Sequence, residues 1–280
     1  MEEARIIVKY HESKRIAIFC FCHTAPLFNI PFDWNVIWLG RQIVDPVLKN
    51  NNVIRLDESN SQLDSLHDQL GGSAGVYLLS EFESTLESVD AIGLFQYRKI
   101  ISRSQIGIQA ENYPVMRLIN TEVANSCLQQ ECFPDDCGLL ISKPLPIPSI
   151  IGQYAGAHYV EDFLKYTAIA VEENVIDSRE VHVFMNLTRI FPGGVEFGFL
   201  PQPFALQAIK KIRTVSEKFI KSFPCEREGY QRRIASFCGE RLGSFLLEKY
   251  LSQRFNGPIS PSVIGQMTTI TNEINYIPGT

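Results

Sequence analysis

The sequence has no basic excess. Its 26 lysines and arginines face 31 aspartates and glutamates, a formal charge of −5 over 280 residues. General nucleic-acid binding, which relies on a basic surface, is disfavoured. No run approaches 18 apolar residues, so no membrane-spanning helix is expected. The opening MEEARIIVKYHESKR carries charge where a secretory signal has an apolar core. That predicts a cytoplasmic protein, and leaves open peripheral contact with the inner face of a membrane. There is no internal repeat and no low-complexity tract. Gly71, Gly72 and Gly75 match neither a Walker nor a dinucleotide pattern. The seven cysteines are odd in number, and Cys127, Cys132 and Cys137 stand five apart, which is not a zinc spacing. Free buried thiols of a reducing compartment are expected. Cys20 and Cys22 are read as facing opposite sides of a strand.

What is present is ordinary for a globular chain: 45% hydrophobic and 20% charged residues. That length buries a sizeable core without disulfides or metals. RIAIFCFC (15–22), NVIWLG (35–40) and NVIRLD (52–57) read as strands. Residues 61–70 and 76–89 have helical spacing, and 90–96 forms another strand. A less regular region extends to about 134, followed by a strand at 135–142. Helices are expected at 149–173, 178–188, 203–222 and 228–254, with a strand at 193–201. The tail from 256 to 280, with three prolines, reads as extended or weakly ordered. Alternation in the first half and helices in the second predict an α/β sheet with helices on both faces and a helical C-terminal part. The expected organisation is a single domain over 1–254 with an extension over 255–280.

Ligands of such sheets bind beyond the carboxyl ends of the strands. The stretch IGLFQYRKII places Gln96, Tyr97, Arg98 and Lys99 at such an end. Arg98 is either a surface cation or a planar multidentate ligand for an anion. On the helix expected at 149–173, Tyr154, His158 and Asp162 stand four apart and form a polar stripe facing solvent or a cleft. A histidine beside a carboxylate can act as a tuned base. Arg241 interrupts an apolar stripe of the last helix, so it needs partners. Glu240 can serve structurally, and a substrate is the alternative partner. Arg233 is preferred over Arg232 as a ligand-facing cation. Trp34 and Trp38 read as core.

Several segments together resemble a family. IGLFQYRKII resembles the GL-HYRR strand end of bacterial capsule- and lipopolysaccharide-type glycosyltransferases, long catalogued as a domain of unknown function. IAIFCFCHTAP resembles the first strand and turn of that family, and LLSEFESTLES the helix before its HYRR strand. DDCGLLISKPLPIPSIIGQYAGAHYVEDF resembles its strand and QY…H…D helix. YQRRIASFCGERLGSFLLEKYL resembles its YQRR…ERL helix, the most specific block. Together the matches cover residues 15–254. Gln96 stands where the family has histidine, Lys99 replaces its second arginine, and EFGFLP replaces an asparagine-containing strand.

The resemblance implies a GT-A-like nucleotide-diphospho-sugar transferase fold. It implies a nucleotide-diphospho-sugar donor and a hydroxyl of a surface-glycan or lipid-linked saccharide as acceptor. Many such enzymes hold a divalent metal on an Asp-x-Asp motif, and none is clear here. No cofactor is therefore expected to be required, and Arg98 with Lys99 would neutralise the leaving diphosphate in place of a metal. His23 and Thr24, after the first strand, would join Gln96, Tyr97, Arg98 and Lys99 in binding the donor. Tyr154, Arg233 and Arg241 would contact acceptor or phosphate. Asp162, with His158, would act as base toward the acceptor hydroxyl. The rival readings are a non-catalytic nucleotide- or carbohydrate-binding protein on the same scaffold, and an interaction protein using the C-terminal helices and tail.

Overall fold

The computed structural model describes residues 5–111, 113–134, 138–224 and 226–274. Its strands in chain order are β1 (Lys9–His11), β2 (Lys14–Cys22), β3 (Asn35–Trp38), β4 (Asn52–Arg55), β5 (Ala91–Gln96), β6 (Lys99–Ser102), β7 (Ile108–Ala110), β8 (Tyr113–Ile119), β9 (Ile141–Ser142), β10 (Leu145–Pro146), β11 (Arg189–Ile190), β12 (Gly198–Pro201) and β13 (Ile264–Ile270). In one half of the sheet β4, β3, β2 and β5 lie side by side and parallel. β5 then turns back into β6, and β13, β8 and β7 complete the order. β13 runs antiparallel to β6 and parallel to β8. β12 pairs antiparallel with β5, β1 with the start of β2, and β10 with β11. β9 runs parallel to β13.

β2 shows why the sheet is buried on both sides. Ala17, Phe19 and Phe21 enter one core, and Ile16, Ile18, Cys20 and Cys22 the other. A strand covered on both faces needs an unbroken apolar run rather than alternation. Each fully buried large apolar side chain contributes roughly 2 kcal/mol. The first core is closed by the helices Ser73–Leu78, Val160–Glu172, Gln202–Ser222 and Ile234–Phe255. The second core lies under Trp34, Trp38 and the helix Thr121–Glu131. Cys20 and Cys22, expected on opposite faces, share one, with their Sγ atoms 3.8 Å apart. Side chains two apart on a strand must point the same way.

Several expected elements differ. The region up to 134 is regular, containing β6, β7, β8 and the helix Thr121–Glu131. The helix expected at 149–173 is two, Ile150–Ala155 and Val160–Glu172, because the chain turns at Gly156–Tyr159. Residues 76–89 break into short helical turns. The segment 178–188 holds a single turn of 3-10 helix and the five-residue helix Val181–Met185. The tail is the largest correction. Ile264–Ile270 is an inner strand, hydrogen-bonded on both sides, so the division at 254/255 is not a structural boundary. The Asp135–Asp136 pair, Cys137 and Cys225 lie outside the described residues. Among the described residues no helix is long and apolar enough to cross a membrane.

Candidate active site

The parallel strands β2 and β5 end side by side, with Phe21 opposite Gln96. Tyr97 and Arg98 form the two-residue link from β5 to β6. Such hairpins favour left-handed residues at the tip. Tyr97 and Arg98 are not glycines, and neither has a positive φ. Neighbouring segments hold the tip instead. The Tyr97 N–H donates to the Phe21 carbonyl (3.0 Å), and the Tyr97 carbonyl accepts from the Leu27 N–H (2.8 Å). The Arg98 carbonyl accepts from the Ile270 N–H (2.8 Å), so the last strand fixes the site's backbone. His23, just past β2, meets the Tyr97 ring edge-on at 4.5 Å, and the Arg98 guanidinium lies 5.4 Å from the centre of the same ring. Thr24 is exposed beside His23.

Arg233 reaches the same place from the far end of the chain. It closes the 3-10 turn Gly229–Arg233 ahead of the last helix. Its side chain passes over Gly71, where a Cβ would lie 2.5 Å from Nε. Gly71 also has φ +54°, a conformation that L side chains seldom adopt. Its guanidinium lies 5.8 Å from the ring centres of both Tyr230 and Phe237. The His23 imidazole is held below its ordinary proton affinity by burial and by the charges of His67, Arg98 and Arg233. The Lys99 ammonium is lowered by burial first; Glu240 opposes this, while Arg98 and Arg233 add to it. These couplings place His23, His67, Arg98, Lys99 and Arg233 in one neighbourhood.

Several cations elsewhere are paired, among them Arg55 with Asp57, Arg189 with Glu248, Arg213 with Glu217 and Lys249 with Glu180. Among the described residues no carboxylate forms an ion pair with Arg98, Lys99 or Arg233. Three cations gathered beyond parallel strand ends, where they repel one another, have the charge to hold an anion.

Two carboxylates border it. Gly193 and Gly194 turn with positive φ against the last helix, and a Cβ on Gly194 would lie 2.9 Å from the Glu240 carbonyl. This turn brings Glu196 beside the helix. Glu240 has a partner on each oxygen: Oε1 accepts from the Gly193 N–H (2.8 Å) and Oε2 from Arg241 (2.9 Å). Glu196 Oε2 accepts from the Ser73 hydroxyl (2.7 Å), while Oε1 is buried without a partner. Arg233 Nε is likewise buried and unpartnered. Burial pushes the Glu196 carboxyl up to about 7, against the opposing pull of the Ser73 hydrogen bond; Glu240 adds to the rise and Arg233 opposes it. Glu196 was not singled out from the sequence. The one signal was its place in EFGFLP, where the chain departs from the family pattern.

The structure gathers His23, Gln96, Tyr97, Arg98, Lys99 and Arg233, and separates others. Tyr154 is buried, its hydroxyl accepting from Cys238 Sγ at 3.3 Å, so it does not face a ligand. Arg241 is buried and bound to Glu240, Gln153 and the Phe237 carbonyl; its role is structural, and the substrate alternative falls. Of the expected stripe, Tyr154 and His158 stay together, ring centres 4.8 Å apart across the turn between the two helices, while Asp162 is drawn to another partner. His158 stacks on Phe237 at 4.2 Å, its Nδ1 3.0 Å from Gln231 Oε1. Asp162 pairs with Arg227 (3.3 Å) in a separate cleft lined also by Lys165, Phe219, Phe223 and Ile234. It therefore does not act on His158. Among the described residues no group of three or more His, Cys, Asp or Glu could hold a metal ion.

No family profile and no curated protein matches this chain. Its fold is similar to that of a solved bifunctional glycosyltransferase, WbbM, with a TM-score of 0.66 and 13% identity over 92% of this chain. The chain spans 45% of the length of WbbM. The likeness establishes the fold, a mixed α/β sheet flanked by helices, in keeping with the GT-A-like architecture expected from the sequence.

Proposed function

We propose that the protein is a glycosyltransferase that moves a sugar from a nucleotide-diphospho-sugar to a hydroxyl of a saccharide acceptor in surface-glycan assembly. The observation that carries this reading is the unpaired trio Arg98, Lys99 and Arg233 beyond the ends of β2 and β5. Glycosyl transfer expels a nucleoside diphosphate, and fixed cations stabilise that departing charge most where water is scarce. The side chains of His23 and Tyr97 flank the trio and suit the planar and hydroxyl groups of a nucleoside. The fold likeness to WbbM supports the same class of reaction.

The test is thermal unfolding with UDP, GDP and CDP, each with and without manganese. A bound ligand raises the midpoint with the logarithm of its concentration over its dissociation constant. One of the three should raise it. Arg98→Ala and Arg233→Ala should each lose most of that rise, with little change in the midpoint without nucleotide. No response to any of them removes the reading. A response without release of diphosphate from the matching sugar nucleotides would make the protein a binder on this scaffold. A response that needs manganese would show that the trio does not replace a metal.

A further inference from the structure

We propose that Glu196 is the carboxylate that takes the acceptor hydroxyl's proton during transfer, with Oε1 as the receiving atom. The assignment rests on the transferase reading above. A base must lie beside the cations that hold the leaving group and must have an oxygen to spare. Each oxygen of Glu240 already accepts a hydrogen bond, one from the Gly193 N–H and one from Arg241, which weakens both as bases. Asp162 is engaged by Arg227 in another cleft. Glu196 Oε1 is left, an acceptor with no donor in hydrogen-bond geometry, although the Tyr77 hydroxyl bears on the same carboxyl; Arg233 Nε is also buried without a partner. A hydroxyl can donate to Oε1, and because a buried oxygen left unmatched is costly, such a donor is favoured there.

In the reaction the acceptor O–H proton passes to Oε1 and the acceptor oxygen bonds to the anomeric carbon. The bond from that carbon to the phosphate oxygen breaks, and its electron pair leaves on the diphosphate, beside Arg98, Lys99 and Arg233. Ser73 holds Oε2 and so fixes the direction of Oε1. Tyr77, Tyr166, Glu240 and Arg233 are the titratable and charged groups facing Glu196. Burial sets its proton affinity near neutrality, where a base works best. Oε1 is out of reach of bulk water as the side chains stand. Its use requires the side chains around it to open toward the acceptor.

The experiment follows nucleoside diphosphate release from UDP-, GDP- and CDP-linked sugars between pH 5.5 and 9, with water as acceptor, alongside thermal shift with the free nucleotides. The wild-type rate should rise with pH and level off above about 7. Glu196→Gln should lower the rate about 100-fold and abolish the pH step, while its nucleotide thermal shift stays unchanged. Glu196→Asp, which keeps the carboxylate, should recover part of the rate. A Gln variant within threefold of wild type at every pH, or one that loses nucleotide binding in parallel, overturns the assignment. Wild-type binding without release from any donor also overturns it. If no nucleotide binds the wild type, the transferase reading itself falls and takes the assignment with it.

Discussion

At the scale of single residues, Glu196 should mark the protein's stability as well as its chemistry. Its carboxyl is raised to about 7 in the folded chain. Between the ordinary glutamate range and that value the native state keeps a proton that the unfolded chain has lost. The stability contributed by this group is therefore complete at low pH and is lost as pH rises through about 7. Glu196→Gln removes the dependence. Urea unfolding should find the variant more stable than wild type at pH 8, by on the order of 2 kcal/mol, with the difference vanishing below the ordinary glutamate range. Gly71→Ala should do the reverse. Its methyl meets Arg233 and needs a strained backbone, a cost of roughly 1–3 kcal/mol. The same substitution should shrink the nucleotide-induced thermal shift, because the guanidinium is displaced. Residue-level reading of the sequence put Arg98 at the end of a buried strand, where the structure also has it, but could not choose between a surface cation and an anion ligand. It missed Glu196, since one acid beside a Gly-Gly turn looks like any surface loop until the last helix packs over it. It misread Tyr154, because spacing by four implies a shared face only while the helix continues, and this one stops at Ala155.

At the scale of elements, the link between β5 and β6 depends on parts remote in sequence. Its tip lacks the residues that make hairpins fold alone, and it is held by β2, by the segment at Leu27 and by β13. Deleting residues 256–280 therefore removes more than a tail. It strips β6 and β8 of a shared neighbour and frees the Arg98 carbonyl. Unpaired inner edges seek other chains. The truncated protein should be recovered as aggregate, or without a cooperative urea transition by circular dichroism; a soluble, cooperatively folding truncation would show that β13 is dispensable. β2, β3 and β5 were legible because strands buried on both faces are continuous apolar runs, and β4, half-buried at the edge, still shows Val53 and Ile54. β13 was not, because its buried Thr268 is satisfied by a hydrogen bond to Ser102 (3.1 Å) that only the assembled sheet supplies. β6 is largely buried but only four residues long, β7 has three residues, and β8 mixes exposed, half-buried and buried positions, so none shows clear alternation.

At the scale of the molecule, one sheet separates two cores that differ in what they hold. Both tryptophans, Trp34 and Trp38, lie in the core shared with the helix Thr121–Glu131, and Trp34 stacks on Phe95 at 4.6 Å. The two longest helices, Gln202–Ser222 and Ile234–Phe255, pack in the other. Tryptophan emission and far-ultraviolet circular dichroism therefore report mainly on opposite faces of the sheet. The active-site candidate draws on both ends of the chain, from His23 to the Ile270 N–H that holds Arg98, with Arg233 between. A site assembled in this way persists only if the faces hold together. The two signals should coincide in a urea titration, with one midpoint and one slope, as for a two-state domain. Nucleoside diphosphate at saturation should move both curves to higher urea by the same amount. If emission changed at lower urea than circular dichroism, the faces would be separable units. The sequence-based boundary at 254/255 would still be wrong, because β13 pairs with strands of the first half.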